Sequence, residues 1–153
     1  MSAAGAATAE SPVEVASECD RVVTMLPNSP HVRSVYSQLL STAAPGTLFL
    51  DCSTIDPAVA KEVSSSCAIN WLRYFKMSEL CLEKGTVFMD CPVSGGVGAA
   101  TAGTLSFMVG GPSEELEAAS SILEFMGAKI FPCGEVGTGQ GIFSYKGLVV
   151  IEN

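Results

Sequence analysis

Residues 47–63, TLFLDCSTIDPAVAKEV, contain the pattern that decides the fold. The segment TLFLD predicts a buried β-strand, because a continuous apolar run is typical of a strand covered on both faces. Asp56 and Pro57 then predict the start of a helix, since aspartate caps a helix and proline suits its first turn. A strand followed at once by a helix is the unit of a parallel α/β sheet.

The same order of strand and helix recurs along the chain. RVVTML at 21–26 predicts a strand, and residues 28–40 predict a helix that starts at Asn28 or Ser29. Further strands are predicted at 86–90, 104–111 and 128–133, and further helices at 11–20, 58–63 and 113–127. Residues 104–111 alternate apolar and polar side chains, which favours a half-exposed strand over a central one. We therefore predict an α/β fold, a partial Rossmann-like and doubly wound sheet that is mostly parallel.

The beginning of that sheet is absent from the pattern. A dinucleotide-binding sheet opens with a strand that runs into G-x-G-x-x-G at a helix N-terminus. Residues before Arg21 supply neither, so we expect the sheet to lack its first strands. Residues 1–10 have no basic flank and no arginine, and no targeting segment is expected in them.

Composition narrows the classes of partner and site. Eight basic and sixteen acidic residues give a formal charge of −8, and the basic residues are scattered, which argues against nucleic acid or an anionic membrane as partner. No apolar run approaches the roughly 18 residues that a membrane span needs. The cysteines have no C-x-x-C pair, so we expect no metal site and interpret them as buried thiols: Cys19, Cys52, Cys67, Cys81, Cys91 and Cys133.

A glycine-rich stretch at 90–111, DCPVSGGVGAATAGTLSFMVGG, is the strongest candidate for a binding site. It follows a predicted strand, and Ser94-Gly95-Gly96 can present consecutive N–H donors and a hydroxyl to a carboxylate. Such a site needs no cation. The alternative from the residues alone is a flexible connection between two strands, because turns favour the same residues.

The spacing in this stretch resembles a known signature. D-x-P-V-S-G-G-x-x-x-A-x-x-G followed by FMVGG is similar to the substrate-binding motif of the β-hydroxyacid dehydrogenases. Within that family TMLPNS, DCSTIDPAVAKE and CGEVGTGQ most resemble the 3-hydroxyisobutyrate dehydrogenases, from about Ser11 to Gln140. The tartronate-semialdehyde reductases remain an alternative.

This resemblance implies NAD as cofactor and a small 3-hydroxy acid as substrate. It implies oxidation of 3-hydroxyisobutyrate to methylmalonate semialdehyde, as in valine catabolism, and a mitochondrial location. By match to the family, the substrate carboxylate falls to Ser94, Gly95 and Gly96, and the cofactor contacts fall to Leu26, Pro27 and Thr54. The residues alone are equally consistent with a strand end and turn at 26–27 and with a helix cap at Ser53 or Thr54. The single histidine, His31, is left unassigned.

The family's catalytic lysine is missing from its motif here. The family uses a lysine in G-x-x-G-x-G-x-x-x-K-x-x-x-N as general acid/base. Gly134, Gly137 and Gly139 match that motif, but the lysine position is Phe143 and the asparagine position is Gly147. Lys146 comes three residues later, about 60° round a helix. We therefore expect this chain to be inactive as it stands.

The resemblance also predicts how the chain is divided. Residues 1–140 are expected to be a partial NAD(P)-binding domain, with 63–84 inserted from outside the family and 141–153 a divergent C-terminal tail without the all-helical second domain. A truncated or alternatively spliced product is one hypothesis for this pattern. The competing reading of function is a catalytically dead fragment that acts through an exposed sheet edge by association with other subunits, for example as a homo-oligomer.

Overall fold

A computed structural model describes residues 5–75 and 85–151, with side chains described for 5–66 and 85–144. The strands are β1 (Arg21–Thr24), β2 (Leu48–Asp51), β3 (Val87–Asp90), β4 (Val93–Ser94), β5 (Leu105–Gly110) and β6 (Gly127–Gly134). The helices are α1 (Pro12–Glu18), α2 (Ser29–Thr42), α3 (Pro57–Phe75), α4 (Gly96–Ala102), α5 (Leu116–Leu123) and α6 (Thr138–Ile151), with a 3₁₀ turn at Ser113–Glu115. None of the described helices is long and apolar enough to span a bilayer.

The first three strands form the parallel half of one six-stranded sheet. β1 pairs with β2 and β2 with β3, both parallel, and the predicted alternation of strand and helix is confirmed. Their register places Thr24, Asp51 and Asp90 side by side at the carboxyl ends. In this type of sheet, ligands bind at that edge.

The second half of the sheet departs from the prediction at 104–111. β5 is central: it runs antiparallel to β3 and β4 and parallel to β6. Phe107, Met108 and Val109 are all buried, so the prediction of a half-exposed strand was wrong. The physical reason is that both faces of β5 are covered, because α6 packs on it as well as the cluster that contains α5.

Two apolar clusters hold the layers together. One lies between the sheet and helices α1, α2 and α3, where Tyr36 contacts the rings of Phe49 and Phe88 edge-on at 5.5 and 5.3 Å between centroids. The other lies on the opposite face, beneath α5, around Leu50 and Phe107. All four residues of β2 are buried, and its apolar side chains pack into the two clusters in turn, as expected of a strand that is covered on both faces.

The predicted helix starts are confirmed in their hydrogen bonds. Ser11 Oγ accepts from the Glu14 amide at 3.3 Å at the start of α1, and Asn28 Oδ1 accepts from the His31 amide at 3.3 Å at the start of α2. Asp56 Oδ1 accepts from the Ala58 amide at 2.8 Å at the start of α3. These caps use N–H groups that a helix cannot pair internally.

Two predicted boundaries fall inside helices. α3 continues from Pro57 through residue 63 to Phe75, and residues 76–84 of the predicted insertion lie outside the described residues. α6 crosses the predicted boundary between 140 and 141 without interruption. The division into a domain, an insertion and a tail therefore stays a prediction.

Candidate functional site

A cavity of about 420 Å³ opens at the carboxyl edge of the parallel strands. Its wall combines the end of β1, the residue after β2, the glycine-rich stretch and the residue before β6: Val23, Met25, Cys52, Val93, Gly96, Val97, Ala100, Leu105, Phe107 and Met126. Clefts of a few hundred cubic ångströms are the usual size for small-molecule sites. The structure therefore brings the glycine-rich stretch to the strand ends, where a ligand is expected.

The glycine-rich stretch is ordered as a strand and a helix rather than as a loose connection. Ser94 ends β4 opposite Ser106 of β5, and Gly96 begins α4. Gly95 stands between them with a φ of 140°, and a Cβ there would lie 2.5 Å from the Cβ of Ala99, so the turn needs glycine. The Ser94, Gly95 and Gly96 residues are exposed, and the Ser94 hydroxyl bonds to no other described residue.

The three candidate cofactor residues lie on the same edge of the sheet but differ in their exposure to solvent. Leu26 is half-buried against the cluster under α2 and α3, and its amide donates to Ser53 Oγ at 2.8 Å. Pro27 is exposed directly after it. Thr54 is exposed after β2, between Ser53 and Ile55, which are both buried. The cavity itself is lined by Met25, not by these three residues.

A network of hydroxyl groups ties these strand ends together. Asp51 Oδ1 accepts from Thr24 Oγ1 at 2.8 Å and from Ser53 Oγ at 2.6 Å. Tyr36 Oη lies 3.0 Å from Thr24 Oγ1. Asp51 Oδ2 is buried and has no hydrogen-bond partner among the described residues. The network fixes the Leu26 turn relative to β2 through Ser53.

Asp90 holds the start of α6 against the sheet. Its Oδ1 accepts from the Gly137 amide at 2.7 Å and its Oδ2 from the Gln140 amide at 2.8 Å. A carboxylate at a helix N-terminus is favoured by the unpaired amides and by the helix dipole. The approach is close: a Cβ on Gly139 would lie 2.9 Å from Asp90 Oδ2.

Burial sets the electrostatics of this edge. Loss of solvent raises the pKa of the Asp51 carboxyl and of the Asp90 carboxyl, against the hydrogen bonds that each accepts. Burial also raises the pKa of Cys52 to about 12 and the pKa of Cys91 well above its usual range. The two thiols are therefore protonated at neutral pH and are poor nucleophiles.

The position of the missing lysine is on the helix that Asp90 caps. Phe143 is half-exposed on α6, five residues after its first residue Thr138. Position 147 follows one turn later, so positions 143 and 147 share a face of the helix. No group of three or more metal-ligating side chains occurs among the described residues.

Sequence reasoning overlooked the roles of Asp51, Asp90, Ser53 and Gln140. Each of the two aspartates ends an apolar strand, in TLFLD and TVFMD, and this repeated placement was an available signal. Gln140 carries no such signal, because its contacts are with residues 85 or more positions away, and the bond of Ser53 to the Leu26 amide spans 27 positions.

The family of the chain is shown by comparison with known proteins. A family model described as the NAD binding domain of 6-phosphogluconate dehydrogenase matches residues 1–134. This match confirms the α/β dinucleotide-binding fold and names NAD as the cofactor of the family.

Three relatives show which enzymes of the family this chain resembles. A probable mitochondrial 3-hydroxyisobutyrate dehydrogenase of Dictyostelium discoideum is 49% identical over 139 residues, which are 89% of this chain and 39% of that protein. An NAD-dependent L-serine dehydrogenase of Pseudomonas aeruginosa is 43% identical, over 90% of this chain and 43% of that protein. The solved structure of a Mycobacterium tuberculosis 3-hydroxyisobutyrate dehydrogenase with L-serine is 39% identical with a TM-score of 0.79, over 92% of this chain and 44% of that chain.

The chain spans less than half of the length of each of these relatives. The resemblance to hydroxyacid dehydrogenases that the glycine motif suggested is confirmed. The chain belongs to the family of 6-phosphogluconate dehydrogenase NAD-binding domains and is similar, within it, to the 3-hydroxyisobutyrate dehydrogenases.

Proposed function

We propose that this chain is the part of a 3-hydroxyacid dehydrogenase that binds NAD and grips the carboxylate of a small 3-hydroxy acid. The observation that carries the proposal is the shared cavity, in which Met25 and Cys52 at the strand ends meet Gly96 of the glycine-rich stretch. The relatives include both 3-hydroxyisobutyrate and L-serine dehydrogenases, so a small hydroxy acid is the substrate class they have in common.

The carboxylate would be held by neutral donors. Ser94, Gly95 and Gly96 are consecutive and exposed at the start of α4, and helix amides in the first turn have no partner within the helix. Consecutive backbone donors that converge on one point bind anions without a cation. Leu26, Pro27 and Thr54 would contact the cofactor at the neighbouring strand ends.

The proposed reaction oxidises 3-hydroxyisobutyrate to methylmalonate semialdehyde. When bound, NAD⁺ would supply the oxidant that takes a hydride from the carbinol carbon, and the hydroxyl proton would have to pass to a general base of the protein. Phe143 has no atom that could accept that proton. We therefore propose that turnover by this chain is at background level, although it retains the residues proposed for binding.

A reconstructed lysine tests both parts of this proposal. NADH formation at 340 nm is measured with 3-hydroxyisobutyrate, L-serine and glycerate, the alcohol whose oxidation gives tartronate semialdehyde, as separate arms for substrate class. The chain itself should give no rate above background, and Phe143→Lys with Gly147→Asn should raise the rate with 3-hydroxyisobutyrate by about 100-fold, the low end for a positioned acid/base. Equal rates for the two proteins would contradict the assigned lysine position.

The location of the protein in the cell needs a test of its own. We propose a mitochondrial location, because the Dictyostelium relative is described as mitochondrial; immunofluorescence against a matrix marker tests it.

The second candidate is association through β1. Among the described strands β1 pairs with β2 alone, while Val23 is 40% and Met25 65% exposed beside the open edge. An apolar open edge favours pairing with another chain. Sedimentation should then show a dimer or larger species that Val23→Lys returns to a monomer. A monomer at all concentrations would reject this candidate.

A further inference from the structure

Gln140 is a fully buried polar residue with two long-range hydrogen bonds that the proposed reaction does not use. Its Oε1 accepts from the Ile55 amide at 3.1 Å, and its Nε2 donates to the Ser53 carbonyl at 2.6 Å. One side-chain amide thus satisfies a donor and an acceptor that flank Thr54. This bonding needs both atoms of an amide, because a hydroxyl or a carboxylate cannot reproduce both bonds with the same geometry.

Both ends of this contact are held in place. The backbone N–H of Gln140 donates to Asp90 Oδ2 at 2.8 Å, so the backbone that carries the side chain is tied to the end of β3. On the other side, Ser53 Oγ donates to Asp51 Oδ1 and accepts from the Leu26 amide. Hydrogen bonds therefore hold the Ser53 carbonyl, the Ser53 hydroxyl and the Ile55 amide, on both sides of Thr54.

Thr54 is the exposed residue between these fixed points. Ser53 and Ile55 are buried and bonded, whereas the Thr54 side chain faces solvent at the carboxyl edge. With both neighbours held, the φ and ψ angles of Thr54 have little freedom, so its side chain leaves the backbone in one direction. A ligand that bonds to a pre-oriented hydroxyl loses less conformational entropy on binding.

We propose that Gln140 is a positioning residue for NAD binding, which orients Thr54 toward the cofactor and links it to helix α6. This inference rests on the proposed function, because it takes Thr54 to be a cofactor contact. It adds a residue from a distant part of the chain to the cofactor site. It also gives a reason for a polar side chain in a fully buried position, where an apolar residue of similar volume would avoid desolvation.

A double-mutant cycle separates positioning from plain stability. NADH dissociation constants are measured by fluorescence for the unmodified chain, Gln140→Met, Thr54→Ala and the double variant. Methionine keeps about the same volume but makes neither hydrogen bond. We expect each single substitution to raise the NADH dissociation constant about five- to tenfold, the effect of a lost hydrogen bond. The double variant should bind NADH no more weakly than Thr54→Ala does.

Gln38 supplies a matched control. It is an exposed glutamine on α2 whose side chain bonds to the Ser34 carbonyl within its own helix, so Gln38→Met should leave the NADH dissociation constant unchanged. If Gln140→Met does not fold, Gln140→Leu enters the same cycle, since leucine is uncharged and makes neither hydrogen bond.

The outcomes distinguish the two proposals. If the unmodified chain binds no NADH, the proposed function fails, and the role of Gln140 fails with it. If the chain binds NADH but the effects of Gln140→Met and Thr54→Ala multiply, Gln140 does not act through Thr54 and this inference alone is overturned.

Discussion

Asp51 and Asp90 stand side by side at the carboxyl ends of β2 and β3, and both are fully buried. They differ in how they are bonded. Asp90 uses both carboxylate oxygens for amides at the start of α6, those of Gly137 and Gln140, whereas Asp51 leaves Oδ2 without a partner among the described residues. This difference predicts different consequences for the same substitution.

Asp90→Asn is expected to destabilise the protein more than Asp51→Asn. An asparagine at position 90 turns one of its two acceptors into an NH₂ group that faces an amide donor, which costs about 1 to 3 kcal/mol. At position 51 the oxygen that accepts from Thr24 and Ser53 can be kept, and the change falls on the unpaired atom. Urea unfolding at pH 7 measures both free energies of unfolding. Equal losses would contradict the assigned roles.

The pH dependence of stability follows from the direction of the Asp51 pKa. Burial, above all, raises this pKa in the folded protein. Between the ordinary and the raised pKa the folded state therefore binds more protons than the unfolded state, and the free energy of unfolding falls as pH rises. Asp51→Asn removes this contribution. Unfolding free energies from pH 4 to 7 should fall less steeply for Asp51→Asn than for the unmodified chain.

Two glycines of α6 should respond oppositely to alanine. A Cβ on Gly139 would lie 2.9 Å from Asp90 Oδ2 and contact the Met108 carbonyl, so Gly139→Ala forces α6 away from the sheet at a cost of about 1 to 3 kcal/mol. A Cβ on Gly141 would meet no atom within 4 Å, so Gly141→Ala should stabilise the helix by up to about 1 kcal/mol. Thermal unfolding measures both. A loss of stability in Gly141→Ala would contradict this packing of α6.

The cysteines should differ in their rates of alkylation. Cys52 is buried with its pKa raised to about 12, and burial raises the pKa of Cys91 as well. Cys19 is exposed and Cys133 half-exposed, so their interpretation as buried thiols was wrong. Because the thiolate is the reactive form, iodoacetamide at pH 8 should modify Cys19 at least about tenfold faster than either buried thiol. Peptide mass spectrometry over time gives the three rates separately. Rapid labelling of Cys52 would show that the cavity edge opens.

The local signals in the sequence predicted the parallel half of the fold. The apolar runs that became β1, β2 and β3 and the caps Ser11, Asn28 and Asp56 depend on neighbouring residues, and these predictions are confirmed. The position of β5 depends on which elements cover it. Its alternation of residue types was therefore a poor guide, because α6 and α5 bury both of its faces.

The candidate site was predictable to the extent that it follows a contiguous motif. The Ser94-Gly95-Gly96 stretch and the strand ends are candidates that the sequence can indicate, because each is local in sequence. Gln140 reaches residues 53 and 55 across 85 or more positions, and Asp90 caps a helix 47 or more positions away. Such contacts exist once the sheet is assembled, and local residue patterns do not encode them.

Binding of a hydroxy-acid carboxylate by Ser94 and the adjacent amides is the step on which the proposed function depends most. Calorimetric titration with 3-hydroxyisobutyrate, in the presence of NADH, tests it for the unmodified chain, Ser94→Ala and the control Thr101→Ala, whose hydroxyl bonds within α4. We predict measurable binding that Ser94→Ala weakens about tenfold, as expected for a lost bond to a charged group, and that Thr101→Ala leaves unchanged. Equal affinity for Ser94→Ala and the unmodified chain would contradict the account.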